Sequence, residues 1–447
     1  MKVLFLPIDN RPVCYQLPKM ISDIHKGVEL LLPDIEILGD LTKTANIAGL
    51  FNWLEKNISE ADVVILSLDT IAYGGLIPSR RSTDSFEDIK LRIDKLKSIL
   101  QSSKAKVFAF SSVMRISNNN INEEEKEYWN LYGKQIFEYS YNYDKFGNAE
   151  TSVPQSIIED YLKTRKRNFD INKEYLAWQK SGMLETLIFS KDDCAEYGLN
   201  VAEAKELEKL GGYTKTGADE IPLTLLARAI VERIKICPVF LEPDSKNLIS
   251  NYEDVSIEES VKGQISLSGC ELSDYDNADV ILYINNFKKH QGEIVMKIPT
   301  ELYSKEWCNP DKPYIIADVR LANGADNKFI DQFLNSDMSK NFYGYSGWNT
   351  SANTLGSLIC AMKFLFSSKK YGSCDWDAFY RLQFLRLLDD WGYQANVRQL
   401  LTCTDVKEIA EKMEMYEVFL NKVFKTNYDV KYSFPWNRLF EVKIEFN

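Results

Sequence analysis

The chain has 447 residues, 45% of them hydrophobic and 27% charged, the composition of a folded protein with more than one structural unit. A formal net charge of -11 argues against broad nucleic-acid binding, which requires clustered Lys and Arg. No apolar stretch approaches the roughly 20 residues of a membrane span, and the N-terminal apolar run is too short for a signal peptide. We therefore expect a cytoplasmic protein that binds neither nucleic acid nor membrane.

Short apolar runs alternate along the chain with segments of helical periodicity. Continuous runs of this kind are typical of strands that are buried on both faces, as in parallel sheets. The predicted strands are 3–8, 63–68, 107–110, 186–189, 280–284 and 314–317. The predicted helices are 88–101, 123–138, 203–210 and 222–233. This alternation predicts an α/β protein with a mostly parallel sheet.

Three regions are predicted from this pattern. Residues 1–240 form an α/β domain that is either barrel-like or an open parallel sheet. Residues 241–370 form a second, smaller α/β unit, and residues 371–447 form a helical C-terminal region. We expect the basic run at 163–167 to be a solvated helix end and His25 to be a surface residue.

Charged side chains follow the first predicted strand. Asp9 and Arg11 lie at its carboxyl end, and ligands of parallel α/β proteins bind at that end of the strands. A carboxylate and a guanidinium two residues apart could bind a polar ligand there. Alternatively, Asp9 could cap the following helix, within a turn that includes Pro12.

Similar residues follow the second and third predicted strands. Asp69 and Tyr73 precede a Gly-Gly pair at 74–75, where the backbone can approach a ligand closely, and Arg80 follows. The segment lacks the lysine of a phosphate-binding loop. Asp69 could instead cap a helix and pair with Arg80 for structural reasons. Arg115 follows the strand at 107–110 and could contact a ligand or form a structural ion pair.

Two acidic pairs follow in the first half of the chain. Asp192 and Asp193 lie at a strand end, and neighbouring carboxylates push their pKa values apart, so that one can act as an acid. Both can face one ligand only if the strand breaks there, because strand neighbours point to opposite faces. Asp219 and Glu220 precede an apolar helix, where capping and the helix dipole explain acids equally well.

The second half contributes Asp318 and Asn323 near a strand end, and Trp348 with Asn349 at the start of an apolar helix. A flat aromatic ring beside amides suits a sugar-like ligand, and the amides would orient it. The alternative is that Trp348 packs the start of the helix against the sheet.

These segments occur in a characteristic order: Asp-Asn-Arg-Pro, Ser-Leu-Asp with Tyr-Gly-Gly-Leu, Asp-Asp, Gly-Ala-Asp-Glu, and Gly-Trp-Asn-Thr. Together they resemble the bacterial protein family DUF4127, from residue 9 to residue 438. The resemblance implies one recurring bacterial protein type and no particular reaction. The Asp192–Asp193 pair with the downstream Trp-Asn segment also looks similar to barrel glycosidases that use substrate-assisted hydrolysis.

The favoured function is a hydrolase of a polar, carbohydrate-like substrate, with no cofactor. Asp192, Asp193 and Asp69 would be catalytic. The other candidates would bind substrate: Asp9, Arg11, Tyr73, Arg80, Arg115, Asp219, Glu220, Asp318, Asn323, Trp348 and Asn349. The chain has only two histidines and eight scattered cysteines, which argues against a His-rich zinc site and a Ser-His-Asp triad.

Two alternatives remain open at this level. One is a metal-dependent hydrolase in which carboxylates hold Mg²⁺ or Mn²⁺. Its ligands would be Asp9, Asp69, Asp192, Asp219 and Asp318. The other is a small-molecule-binding protein without catalysis. The oligomeric state is not determined by the sequence.

Overall fold

The computed structural model describes residues 1–192, 194–336 and 341–447. The helices are α1 (Gln16–Asp23), α2 (Ile47–Asn57), α3 (Leu68–Ala72), α4 (Leu76–Arg81), α5 (Phe86–Gln101), α6 (Trp129–Phe146), α7 (Gln155–Lys180), α8 (Leu199–Lys209), α9 (Ile221–Ala229), α10 (Ile257–Leu267), α11 (Asn327–Asn335), α12 (Ser351–Lys370), α13 (Trp376–Leu387) and α14 (Val406–Phe424). A π-helical segment, Leu388–Val397, follows α13.

The strands are β1 (Lys2–Leu6), β2 (Glu29–Leu31), β3 (Val63–Ser67), β4 (Lys106–Val113), β5 (Thr186–Lys191), β6 (Thr214–Thr216), β7 (Lys235–Phe240), β8 (Glu271–Leu272), β9 (Val280–Asn285), β10 (Gly292–Glu293), β11 (Tyr314–Asp318), β12 (Leu321–Ala322), β13 (Phe342–Ser346), β14 (Val430–Ser433) and β15 (Lys443–Phe446).

The chain divides into two compact units. Unit 1 comprises Met1–Tyr15, Glu29–Pro222 and Tyr252–Asp254. Unit 2 comprises Gln16–Val28, Leu223–Asn251 and Val255–Asn447.

Unit 1 is built on a parallel sheet of six strands in the order β2-β1-β3-β4-β5-β6. Because β2 and β6 lie at its two edges, the sheet is open and not a barrel. The central strands β1 and β3 are almost entirely apolar, as expected for strands covered on both faces. The α/β prediction is confirmed, and the open sheet is the form that the first half adopts.

The helix α5 shows how the sequence produces this packing. Ser85 and Asp88 form a capping box at its start, which satisfies otherwise unpaired backbone N–H groups. Ile89, Ile93 and Leu96 recur at helical spacing and are buried in the core that also contains residues of β3 and β4. The apolar stripe therefore fixes which face of the helix covers the sheet.

Unit 2 contains a second parallel sheet, of five strands in the order β8-β7-β9-β11-β13. When the strands of this sheet are numbered in chain order, their order across the sheet is the same as that of the first five strands of unit 1. The predicted strands at 280–284 and 314–317 are β9 and β11. The helical C-terminal region is also present, and it ends in the antiparallel pair β14–β15. Within the described residues, no helix combines the length and the apolar character that a membrane span needs.

Two surface predictions are wrong. His25 is only 8% exposed, and Ser367 and Ser373 lie within hydrogen-bond distance of its ring nitrogens. The basic run at 163–167 lies in the middle of α7, and Arg165 is 2% exposed. Arg165 is buried because Glu203 neutralises it, with 2.6 Å between Nη2 and Oε2.

Candidate functional site

The carboxyl edge of the sheet of unit 1 gathers most of the charged candidates. The strand β1 lies between β2 and β3, so the connections on its two sides leave in opposite directions. In open α/β sheets this reversal of strand order creates a crevice in which ligands bind. Asp9 and Asp69 follow the two strands at the reversal, β1 and β3.

Arg11 links two carboxylates at this edge. Its Nε donates to Asp9 Oδ2 over 2.9 Å, and its Nη2 lies 2.6 Å from Asp219 Oδ1. Nη1 donates to the second oxygen of Asp219 over 3.1 Å, so this pair is bidentate. The sulfur of Cys14 lies 3.8 Å from Asp219 Oδ1. One guanidinium therefore holds Asp9 and Asp219 beside each other, although 208 residues separate Arg11 from Asp219.

The electrostatics of Asp219 differ from those of a surface aspartate. Burial raises the pKa of its carboxyl, and the negative charges of Asp9 and Asp192 act in the same direction. Arg11 opposes this effect but does not cancel it. Asp219 therefore holds its proton to a higher pH than an ordinary aspartate.

A second group of ion pairs surrounds Arg115, which follows β4. Its Nη1 donates to Asp192 Oδ2 over 3.1 Å, and its Nη2 donates to Glu124 Oε2 over 2.8 Å. Nε donates to Glu125 Oε1 over 3.2 Å. The side chain of Asp192 is 24% exposed, so this carboxylate is both oriented by an arginine and accessible.

Arg80 is fully buried at the end of α4, where it donates to Glu125 Oε1 over 2.8 Å. Its Nη2 has no hydrogen-bond partner among the described residues. Arg167 of α7 fixes the end of α4, because it donates to the carbonyl oxygens of Ser79 and Ser82 over 2.8 Å and 2.6 Å. Arg167 of the basic run therefore holds the backbone on both sides of Arg80 in place.

Asp69 and Tyr73 lie in the interior of unit 1. Asp69 accepts hydrogen bonds from the backbone N–H and the hydroxyl of Ser112, both over 2.8 Å. Burial raises its pKa to about 6, against the effect of these bonds. Tyr73 is buried, and the guanidinium of Arg167 lies 5.3 Å from its ring centroid. Asp69 thus joins the end of β3 to β4.

The carboxyl group of Glu220 occupies the space that a side chain at position 217 would fill, and this position is a glycine. Gly217 has φ of +111°, and a Cβ at this position would lie 1.8 Å from Glu220 Oε1. Burial and the charge of Asp219 raise the pKa of Glu220 to about 8. At neutral pH the group is therefore protonated, which makes it a buried acid and not an anion.

The buried polar side chains around Asp318 in unit 2 form hydrogen bonds mainly with one another. Asp318 accepts from Asn285 Nδ2 and from the backbone N–H of Asp326, both over 2.8 Å, and from the Tyr345 hydroxyl over 3.2 Å. Arg320 is fully buried and donates to Asn285 Oδ1 over 3.0 Å. These groups satisfy one another, which is the pattern of a structural network.

The other candidates of unit 2 also have local partners. Asn323 and Asn349 both have positive φ, and a backbone hydrogen bond of 2.8 Å joins them. Asn323 Nδ2 donates to Glu293 over 2.6 Å. Trp348 is 4% exposed, which leaves little of its ring surface for a sugar to stack upon. Unit 1 therefore offers the more open site.

Sequence reasoning did not select three side chains of unit 1. The helical periodicity at 123–138 predicts that Glu124 and Glu125 lie in a helix, but the helix begins at Trp129. Lys215 lies in β6, a strand of three residues that is too short for its alternation to be recognised. The β-branched Thr214 and Thr216 on either side were the available signal. The predicted catalytic residue Asp193 lies outside the described residues.

Within the described ranges, no three His, Cys, Asp or Glu side chains form a group that could hold a metal ion. Of the five carboxylates proposed as ligands, Asp318 belongs to unit 2 and the others to unit 1.

The fold and the site define an α/β protein with two doubly wound parallel sheets and a cluster of acids and arginines at the carboxyl edge of one of them. A family model described as "protein of unknown function (DUF4127)" matches residues 3–445, so the chain belongs to this family, as the sequence motifs predicted. No curated protein matches the chain, and no solved structure matches it.

Proposed function

We propose that this protein is a hydrolase of a polar, carbohydrate-like substrate and that its reaction takes place at the carboxyl edge of the sheet of unit 1. The observation that carries the proposal is the arrangement of Asp219, Asp9 and Asp192 around Arg11 and Arg115. It places a buried carboxyl group, Asp219, and a partly exposed one, Asp192, at one edge of a sheet.

Asp219 is the proposed proton donor. Its raised pKa lets it keep a proton to a higher pH than an ordinary aspartate, which is the direction that glycoside hydrolysis requires of the group that protonates the leaving oxygen. The bidentate contact with Arg11 fixes the orientation of the carboxyl group. Asp9 shares the same guanidinium and holds Arg11 in place from the other side.

Asp192 is the proposed base. Its contact with Arg115 orients the carboxylate, and its partial exposure gives a water molecule access to it. The roles follow the two-carboxylate scheme, in which one carboxyl group donates a proton and the other activates water. Asp69 accepts two hydrogen bonds from Ser112 and acts in this proposal as a support for the site.

The first experiment is a screen of chromogenic glycosides and phosphate esters with the wild-type chain and Asp192→Asn. We expect cleavage of at least one glycoside and a decrease of about 10²- to 10⁴-fold in kcat for the variant, the usual contribution of a general base. Asp276→Asn, at an exposed position, is the matched control and should retain full activity.

Other outcomes of the screen separate the alternatives. Cleavage of a phosphate ester without cleavage of any glycoside would overturn the proposal. Loss of activity in EDTA, with recovery upon addition of Mg²⁺ or Mn²⁺, would support the metal-dependent hydrolase instead. Binding of a sugar without turnover of any compound would support the non-catalytic binding protein.

A further inference from the structure

Three side chains on neighbouring strands of unit 1 form a polar row near the proposed site. Ser112 of β4 pairs in register with Ser190 of β5, and Ser190 pairs with Lys215 of β6. Residues paired in register on adjacent strands project to the same face of a sheet. The three side chains are therefore lateral neighbours.

Two members of this row have unused hydrogen-bonding capacity. Ser112 donates its hydroxyl to Asp69, but the buried hydroxyl of Ser190 has no hydrogen-bond partner in the part of the chain that the structure describes. Lys215 is 8% exposed, and among the same residues its ammonium group makes neither a side-chain hydrogen bond nor an ion pair. Buried polar groups are normally paired, so the hydroxyl of Ser190 indicates a missing partner, and Lys215 lies beside it with donors to spare.

The neighbouring strand positions make the contrast clear. Lys191 and Thr216, also paired in register, are directed to the opposite face, where both contact the carboxylate of Asp254. Asp254 therefore contacts Lys191 directly, whereas Lys215 has no acid in direct contact among the described residues. The charges of Glu253 and Asp254 act on Lys215 only from a distance. Glu220, which is also near, is protonated at neutral pH.

A third donor without a partner lies near Asp69, at the Ser112 end of the row. Arg80 Nη2 is buried and unbonded among the described residues, and the charge of Arg80 acts on Asp69, which binds Ser112. All three groups are hydrogen-bond donors, and two of them are cations. A ligand that satisfies them must present acceptor oxygens, and a negative charge would give the ammonium group of Lys215 the direct contact that no acid in the described part of the chain makes.

We propose that Ser190 and Lys215, extended by Arg80, bind an anionic oxygen group of the ligand, so that the substrate is an acidic sugar that carries a carboxylate or a phosphate. This inference rests on the proposed function for the sugar part of the ligand. The anion-binding step itself requires only the three donors.

The test is a set of binding measurements by titration calorimetry on the full chain, with four probes. Glucuronate and glucose 6-phosphate carry the two anions, glucose carries none, and inorganic phosphate lacks the sugar. We expect at least one of the two acidic sugars to bind at least about tenfold more tightly than glucose, which corresponds to about 1.4 kcal/mol. The acidic sugar that binds identifies the anion, and binding of inorganic phosphate alone would refute the acidic-sugar assignment.

Substitutions in the polar row test whether its side chains provide the affinity for the acidic sugar. Lys215→Met and Ser190→Ala should each weaken binding of the acidic sugar at least about tenfold, while Lys205→Met, at an exposed position, should not. Thermal unfolding provides the folding control. Lys215→Met should not lower Tm, because it replaces a buried, unpaired charge by an apolar side chain of similar length.

The results distinguish this inference from the proposed function. Equal affinity of Lys215→Met and wild type for the acidic sugar, or equal affinity of the wild type for glucose and both acidic sugars, would overturn the anion site even if hydrolysis is observed. Anion binding that depends on Lys215, with no hydrolysis of any acidic glycoside, would retain the anion site and reject the hydrolase.

Discussion

Glu220 provides a quantitative test of the electrostatics of unit 1. Its carboxyl has a pKa of about 8 in the folded chain, against an ordinary value of 4.5, because burial disfavours the charged form. Between these two pH values the folded chain keeps the proton and the unfolded chain releases it. Stability is therefore lost as the pH rises through this window and is recovered as the pH falls.

The substitution Glu220→Gln removes this loss, because an amide does not ionise in either state. From pH 5 to pH 7, we expect the free energy of unfolding of the wild type to fall by about 2.5 kcal/mol relative to that of the variant, from about 1.36 kcal/mol for each unit of pKa. At pH 5 the two proteins should be closely similar. At pH 7 the variant should be the more stable protein.

The measurement should report on unit 1 specifically. Hydrogen exchange as a function of urea, followed by mass spectrometry in peptides from β4 and β5, gives the unfolding free energy of the sheet that carries the site. Glu150→Gln, at an exposed position, makes the same chemical change and should leave the pH dependence of the wild type unaltered. A wild type whose stability relative to Glu220→Gln is constant or rises with pH would refute the reasoning.

Three further variants test the supports of the site. Arg11→Met should lower the free energy of unfolding by about 3–5 kcal/mol at pH 7, because it leaves two buried carboxylates without their shared cation; urea unfolding measures this, and no loss would contradict the bridging role. Asp69→Leu should cost about 1–3 kcal/mol in the same assay, because it leaves the backbone N–H and the hydroxyl of Ser112 without their acceptor; wild-type stability would exclude Asp69 as a support. Gly217→Ala should cost at least about 1–3 kcal/mol, since its Cβ would collide with Glu220 at a positive φ, and a Tm equal to that of the wild type would show that the loop can relax.

The sequence predicted the strands of the first half well, because their apolar runs are continuous and are bounded by polar residues. The predicted strands 63–68 and 186–189 correspond to β3 and β5 within two residues at each end. Alternation with helices was enough to predict a parallel α/β sheet. The strand β6 carries no recognisable period in three residues, so Lys215 was missed with it.

The partners of the site residues could not be predicted from the sequence. Asp9, Arg11 and Asp219 were each selected because they follow or precede an element, but their contact depends on the order of strands in the sheet. Trp348 illustrates the opposite problem. An aromatic beside amides suggested an exposed platform, whereas the ring is buried at the start of α12, a helix that is buried on nearly all sides.

The most direct test of the proposed chemistry is the leaving-group dependence of Asp219→Asn on the glycoside identified by the screen. A proton donor matters most when the leaving alcohol is a poor one, since an activated nitrophenolate departs without protonation. We expect the variant to lose about 10²- to 10⁴-fold in kcat/KM on the unactivated glycoside and much less on its nitrophenyl counterpart. An equal loss on both substrates, or no loss on either, would contradict the assignment of Asp219 as the acid.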